Sequence, residues 1–170
     1  NEWSLYPTFN INYAPAPGNV WQLSLSSDKS YPDYWATQDA VSYMGGGYSE
    51  IHGNPYLKPE INYQLQLTYV LNSKYMFNAW YSHTKDNATQ TLYQSPERLV
   101  EIYKYFNFDF EQQAGVQAVV PFAIGRWLKS RFTLTGVYDR QKDNDFWDIP
   151  FNRKAYYAML NMNHTVTLFS

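Results

Sequence analysis

Hydrophobic and polar residues alternate along most of this chain with the period of two that is typical of a β-strand. The clearest run covers residues 61–69 and reads Ile-Asn-Tyr-Gln-Leu-Gln-Leu-Thr-Tyr. Its odd positions are apolar or aromatic and its even positions are polar, so that successive side chains fall on opposite faces of a sheet. This pattern predicts a two-faced sheet, and the solvent that meets each face decides the kind of protein.

The same alternation recurs along the chain and predicts seven strands. We expect them at about 3–13, 20–27, 61–71, 75–85, 108–121, 128–140 and 153–169. Three connections between them are short, near Pro15, Ser73 and Gly125. The other three are long, at 28–60, 86–107 and 141–152, and the middle one is expected to form two strand pieces joined at 95–97.

Short and long connections alternate strictly, which predicts an antiparallel up-and-down transmembrane β-barrel with short inner turns and long external loops. Aromatic residues near the strand ends agree with the two interfacial girdles of such a barrel. They are Trp3, Tyr13, Trp21, Tyr69, Tyr75, Trp80, Trp127, Tyr138 and Tyr156. The polar positions should then line the lumen or contact a plug, and include Gln64, Gln66, Gln117, Thr133, Thr135 and Asp139.

Seven strands is an odd number, whereas bacterial single-chain barrels close with an even one. An open sheet cannot lie in lipid with unpaired edges, because its backbone N–H and C=O groups would lack partners. We therefore expect residues 1–170 to be an incomplete slice, of about seven or eight strands, of a larger barrel, without a plug domain.

Composition narrows the class further. The chain has 170 residues, of which 45% are hydrophobic and 19% aromatic, with a mean hydropathy of −0.54 and no cysteine. No run approaches the roughly 18 apolar residues of a membrane helix. The lack of cysteine excludes a disulfide-stapled scaffold. A net charge of −2 gives no basic footprint for nucleic acid.

The residues needed for catalysis are not grouped in the sequence. His52, His83 and His164 are scattered without metal-ligand spacing, and there is no cysteine or Gly-x-Ser-x-Gly nucleophile. The glycines at 45–47 lack the lysine and hydroxyl residue of a phosphate-binding loop. We predict a protein that is not an enzyme and has no cofactor.

The long segment after the second strand is the candidate ligand-binding region. Aromatic side chains alternate there with polar ones, which suits sugars, siderophores or peptides, although the same side chains can simply pack an external loop. The candidate ligand-binding residues are Tyr31, Tyr34, Trp35, Asp39, Tyr43 and Tyr48.

Three carboxylates lie close together in the last long connection, at Asp143, Asp145 and Asp148. Oxygen ligands of this density can hold Ca²⁺, but their spacing differs from that of an EF-hand loop. We expect a solvated acidic tip and no metal site.

One octet, at residues 53–60, precedes the clearest strand and has the properties of a rigid loop exit. Two prolines fix their own φ and bias the residues before them to extended geometry. We expect a structural role in setting strand register for Gly53, Asn54, Pro55, Leu57, Lys58, Pro59 and Glu60.

This octet resembles the GNPxLKPE signature of TonB-dependent outer-membrane receptors. The strands at 65–69 and 75–81 are similar to the pair that follows it, and the Tyr- and Asn-rich style resembles the outer-membrane β-barrel family of Bacteroidota. The resemblance implies a Gram-negative outer-membrane receptor that has a plug domain and 22 strands and imports a siderophore, glycan or peptide. Implied partners are membrane lipid, TonB, the plug and a surface lipoprotein.

Two other interpretations fit the same alternation. The first is a soluble all-β module that binds glycans or another ligand, with the apolar faces forming a sandwich core. The second is a small complete barrel of eight strands that acts as a pore or adhesin, with the eighth strand within 88–105.

Overall fold

A computed structural model describes residues 5–168 of the chain. Within them the fold is built almost entirely from β-strands, with two short 3₁₀ helices at Tyr34–Thr37 and Gly45–Gly47. The strands are β1 (Phe9–Ala16), β2 (Asn19–Ser30), β3 (Val41–Met44), β4 (Ser49–His52), β5 (Glu60–Leu71), β6 (Tyr75–Gln94), β7 (Glu101–Ile124), β8 (Leu128–Phe146) and β9 (Ile149–Val166).

Seven of these strands form one antiparallel up-and-down sheet in the order β1-β2-β5-β6-β7-β8-β9. They correspond to the seven strands predicted from the sequence, so the all-β antiparallel fold is confirmed. Within the described residues β1 and β9 pair only with their inner neighbours, so the sheet is open.

The register gathers the apolar positions on one face, as the alternation predicts. One cross-strand row joins Leu67 to Ala79, Val116, Gly136 and Ala158. The neighbouring side chains of this face remain uncovered, because the exposed fractions of Leu65, Val116, Leu134 and Leu160 are 41%, 61%, 56% and 55%. The soluble sandwich interpretation is therefore wrong: no second sheet packs on this face in residues 5–168.

The polar positions form the opposite face and are linked to one another across four strands. Thr68 donates to Asn78 at 2.8 Å, Asn78 donates to Gln117 at 3.2 Å, and Gln117 donates to Thr135 at 3.1 Å. These hydrogen bonds pair the polar side chains with one another on the face opposite the apolar one. The predicted division of the sheet into an apolar and a polar face is confirmed.

The connection at 86–107 is strand on both sides of a turn after Gln94, as predicted, whereas the predicted loop at 141–152 is strand apart from its two-residue turn. Strands β6 and β7 continue beyond the predicted ends and remain paired up to Gln94 and Glu101. The last hairpin closes on a two-residue turn at Trp147 and Asp148, both with positive φ. Because 88–105 only lengthens two existing strands, the eighth strand of a small complete barrel is not found there.

The bounds of the first strand also differ from the prediction. It continues to Ala16, because Ala16 pairs with Asn19 across a tight turn after a register shift. The predicted start at residue 3 and end at residue 169 lie outside the described residues. Within them β1 begins at Phe9 and β9 ends at Val166, so the predicted strands are too long at 5–8 and 167–168. Among the described residues, no helix has the length and apolar character needed to cross a membrane.

The connection at 28–60 was predicted to be irregular, and this prediction is wrong for its middle part. Strands β3 and β4 form a hairpin, and β4 pairs in parallel with the first residues of β7, from Ser49–Glu101 to His52–Lys104. The glycines at 45–47 form the 3₁₀ turn of this hairpin.

Candidate ligand site at the external mouth

The long strand extensions and the connection between β2 and β5 lie at the same end of the sheet, which we call the external end. Residues 31–59, the external loop, leave β2, reach the edge of β7 that faces away from β6, and return to β5. Its contacts with β7 involve Tyr105 and Asn107, and Glu60 directly after it contacts Ala88 of β6. Their register places these residues on the polar face, so the loop crosses that face at the mouth of the barrel.

The octet fastens this crossing to the sheet. Asn54 is buried, and its side chain donates to the carbonyl of Tyr105 at 2.9 Å and accepts from the Tyr56 amide at 3.1 Å. Its own amide donates to the carbonyl of Ala36 at 2.6 Å. Asn54 therefore joins the returning loop, the outgoing loop and β7.

A reciprocal pair of hydrogen bonds supports the same connection further along the octet. Asn107 accepts from the Lys58 amide at 2.8 Å and donates to the Lys58 carbonyl at 3.0 Å. The Glu60 carboxylate then accepts from the Ala88 amide at 3.2 Å. These contacts give the octet the geometry of a structural clamp.

An ion pair holds the tip of the external loop. The Glu50 carboxylate is only 3% exposed and lies 2.7 Å from His52 Nε2 and 2.9 Å from Arg98 Nη1. The hydrogen bond from His52, followed by that from Arg98, holds the pKa of the Glu50 carboxyl below its ordinary value. The same pair raises the pKa of Arg98.

A pocket of about 200 Å³ opens between the external loop and the polar face. It is lined by Ser30, Tyr31, Pro32, Asp33, Ala36, Glu60, Ala88 and Tyr105. The carboxylates of Asp33 and Glu60 can accept hydrogen bonds from a ligand or pair with a cation. The rings of Tyr31 and Tyr105 offer flat apolar surfaces that end in a hydroxyl group. This chemistry suits part of a ligand that carries hydroxyl or amine groups.

The structure divides the predicted ligand-binding residues. Tyr31 lines the pocket, and Trp35 contacts Tyr105 edge to face at 5.6 Å between ring centroids. The remaining ones are exposed on the external loop and do not line the pocket: Tyr34, Asp39, Tyr43 and Tyr48.

Asp33, Glu60 and Tyr105 line the pocket, although they were not among the predicted ligand-binding residues. Tyr105 comes from the outer part of β7, which was predicted as a strand piece within a long connection and not as part of a barrel strand. Extending the alternation of β7 outward gives Tyr105 the same parity as Gln113 and Gln117. This parity was the one available signal, but it could not show that the loop crosses there.

The three carboxylates at the last hairpin lie in and beside its turn. In the part of the chain that the structure describes, no three acidic or histidine side chains are grouped so that they could hold a metal ion. The Asp143 carboxylate instead accepts from the Asp145 amide at 3.2 Å, within the same turn.

Aromatic packing supports the strand extensions at this end. Phe108 is 3% exposed and stacks on Phe151 at 5.3 Å, and Trp147 stacks on Tyr93 at 4.4 Å. The tip of the β8–β9 hairpin thus packs on β6 and β7. The external mouth is therefore held together by packed side chains, and the pocket opens on its polar face.

A single antiparallel sheet with an uncovered apolar face, a hydrogen-bonded polar face and long hairpins at one end has the architecture of a membrane β-barrel wall. Only an apolar face that meets hydrocarbon explains so much exposed aliphatic and aromatic surface. The fold therefore defines a membrane barrel protein.

Comparison with known proteins identifies the family. The model of the outer membrane protein beta-barrel family matches residues 1–170, so the chain belongs to that family and lies in the outer membrane. No curated protein matches the chain.

Two solved structures show the same fold. The siderophore receptor PirA from Pseudomonas aeruginosa is 10% identical, with a TM-score of 0.60 over 96% of this chain and 36% of its own. A variant of the ferric enterobactin receptor PfeA from Pseudomonas aeruginosa, solved with enterobactin, is 12% identical, with a TM-score of 0.52 over 96% and 33%. The chain thus spans about a third of the length of these receptors.

Proposed function

We propose that this chain is part of the wall and external mouth of an outer-membrane receptor, which binds a nutrient and imports it with energy supplied through TonB. Residues 1–170 belong in this proposal to the barrel domain, and a plug domain and further strands complete the receptor. The octet and the strand pair after it support the receptor class, and the Tyr- and Asn-rich style supports its assignment to Bacteroidota. The fold shared with two siderophore receptors supports a receptor barrel.

The observation that carries the proposal is the position of the 200 Å³ pocket. It lies between the external loop and the polar face, so a solute bound there meets the barrel interior and not the lipid. Its carboxylates, Asp33 and Glu60, select hydroxyl or amine groups, and Tyr31 and Tyr105 offer rings for stacking. The pocket is smaller than the roughly 300 Å³ of a typical ligand site, so it holds one group of a larger ligand.

The function is tested in cells that depend on the complete protein for a scarce nutrient. Ferric siderophores, oligosaccharides and short peptides are offered in turn, with and without TonB. We expect uptake of one class only, and its loss without TonB. Equal uptake with and without TonB contradicts the import mechanism.

The pocket is tested on the same cells with two variants. Asp33→Asn removes a carboxylate charge, and Tyr31→Ala removes a ring. We expect at least tenfold weaker ligand binding for each, because both side chains line the pocket. The control is Asp145→Asn, which removes a carboxylate from the exposed β8–β9 tip and should bind normally.

A further inference from the structure

Charge is sorted between the two faces of the sheet at its external end. Register gives Lys85, Arg140, Lys142 and Lys154 the same outward parity as Val116 and the other apolar positions. The carboxylates of the strands around them have the opposite, inward parity. Those carboxylates are Asp28, Glu60, Asp109, Glu111, Asp139 and Asp143.

Lys85, Arg140, Lys142 and Lys154 form one compact group, the basic patch. Arg140 pairs directly with Lys154 across β8 and β9. Lys85 and Lys142 both pair with Phe110, from β6 and β8, and the Arg140 guanidinium lies 5.3 Å from the Phe110 ring centroid. Neighbouring strands are about 4.8 Å apart, so Lys85 and Lys142 start about 10 Å from each other.

The protein does little to neutralise this group. Like charges directly opposite each other, as at Arg140 and Lys154, are unfavourable in a sheet. Within residues 5–168, one carboxylate lies within 4.0 Å of a cation of the basic patch: that of Asp86, which pairs with Lys85. Arg140 donates to the neutral Asn152 at 3.2 Å. An anion from outside the chain would relieve this repulsion.

The basic patch also has a defined height on the membrane face. The outward row next to it, toward the membrane, contains Tyr81, Tyr138 and Tyr156, which are suited to the interface between hydrocarbon and headgroups. The next row contains Ala79, Gly136 and Ala158, and these small residues help to form an apolar groove of about 490 Å³. If a lipid headgroup binds at the basic patch, its acyl chain extends into this groove.

We infer that the basic patch binds the phosphate groups of an outer-leaflet membrane lipid, and that the acyl chains of this lipid lie in the adjacent apolar groove. Arg and Lys are the side chains that hold phosphate, Arg140 as a fork and the lysines as point charges. Their aliphatic stems can lie along the apolar wall while their charged ends stay at the headgroups. The inference depends on the outer-membrane location and not on the proposed nutrient import.

The test uses the complete protein, extracted in detergent and incorporated into nanodiscs of neutral phosphatidylcholine. Lipid A with two phosphates is added, and retained lipid is counted by native mass spectrometry and titrated for affinity. We expect the triple variant R140Q, K142Q and K154Q to retain lipid A at least tenfold more weakly than the unmodified protein. The dephosphorylated glycolipid should be retained as weakly by the unmodified protein.

The matched control neutralises three cations of β8 and β9 with inward parity: Lys129→Gln, Arg131→Gln and Arg153→Gln. It should retain lipid A like the unmodified protein. Equal retention by the patch variant, equal loss in the control, or equal retention of the dephosphorylated lipid each overturns the inference. So does a lipid-independent dimer formed through this face.

Folding of each variant is checked by its heat-dependent migration on gels. If the triple variant fails to fold, two measurements replace it: lipid A retention by the single variant K142Q, and retention of the dephosphorylated lipid by the unmodified protein. Loss of retention in both supports the inference, and retention in either contradicts it.

Discussion

Arg98 donates two hydrogen bonds to a single carboxylate, that of Glu50, at 2.9 and 3.3 Å. Arg98 belongs to the turn between β6 and β7, whereas Glu50 belongs to β4 in the external loop. This bidentate pair therefore links two separate parts of the external mouth. Because Glu50 is almost fully buried, its charge depends on these partners.

Replacing Arg98 should loosen the external loop while leaving the sheet intact. In Arg98→Gln the Glu50 carboxylate loses its cationic fork, and β4 should separate more often from β7. We expect amide hydrogen exchange in 41–52 to become roughly tenfold faster, since hydrogen bonds to charged groups are the strong ones. Arg126→Gln, at a short turn on the opposite end, is the control and should leave this exchange unchanged.

The same pair makes the loop sensitive to acid. The pKa of Glu50 is lowered in the folded protein from its ordinary value of 4.5. A carboxyl with a lowered pKa stabilises the fold above its unfolded pKa, and this contribution is lost as the pH falls through the folded pKa. We expect exchange in 41–52 to accelerate as the pH falls below about 4.5, after correction for the intrinsic exchange rate.

Glu50→Gln separates this effect from general acid unfolding. The variant has no carboxyl at position 50, so its loop should already exchange faster at neutral pH. It should then show little further acceleration between pH 5 and the folded pKa of Glu50. An unchanged acid response in the variant would show that another group controls the loop.

The sheet could be predicted because its pattern is local. Alternation assigns Leu65 and Leu67 to one face and Gln64 and Gln66 to the other without any knowledge of neighbouring strands. The register then places the same two faces side by side across seven strands. The alternation within each strand therefore predicts its two faces correctly without reference to the other strands.

Strand pieces were predicted within 86–107, but their continuity with β6 and β7 could not be predicted in the same way. Outside the hydrocarbon, β6 and β7 have polar residues on both faces, such as Asn87 and Gln90, so alternation loses its contrast. What holds them is packing from the β8–β9 tip, where Phe146 contacts Phe108 at 5.3 Å. That contact joins residues far apart in the sequence and has no local signal.

The candidate site was predictable only to the level of its segment. Tyr31 was among the predicted residues because it lies in an aromatic, polar loop. Tyr105 lines the pocket because the external loop passes over the polar face to reach β7. There β4 pairs in parallel with a part of β7 about 50 residues later in the sequence, a contact with no local signal. Tyr43 and Tyr48 match the same composition but lie on the exposed hairpin.

Adding a methyl group at Gly53 should disturb the clamp through steric overlap. A Cβ there would overlap the carbonyl oxygen of Gln38, which is backbone and cannot rotate away. We expect Gly53→Ala to lower the free energy of unfolding by about 1–3 kcal/mol, as overpacking does. The measurement is urea unfolding in lipid vesicles.

Gly46→Ala is the control for this position. Gly46 has open space around it but a φ of +71°, so alanine adds backbone strain without overlap. We expect the strain of about 1 kcal/mol to be confined to the exposed hairpin. Exchange in 53–60 should stay slow in Gly46→Ala and become fast in Gly53→Ala. Similar exchange in both would contradict the steric explanation.

Gly115 and Gly136 offer a test of the two faces at one level of the sheet. Gly115 pairs with Trp80, and a Cβ added at Gly115 would overlap the Trp80 ring. Gly115→Ala should displace this ring and break the hydrogen bond from Trp80 to Gln113, now 3.3 Å. We expect a loss of about 1–3 kcal/mol in the free energy of unfolding.

Gly136→Ala should behave differently, because its Cβ would lie 3.8 Å from Val116 Cγ2, an ordinary contact on the apolar face. We expect a change within about 0.5 kcal/mol in the same urea titration. The order of the two variants is the decisive result, since both replace a strand glycine by alanine. A larger loss for Gly136→Ala would mean that the outward groove, and not the Trp80 contact, requires glycine.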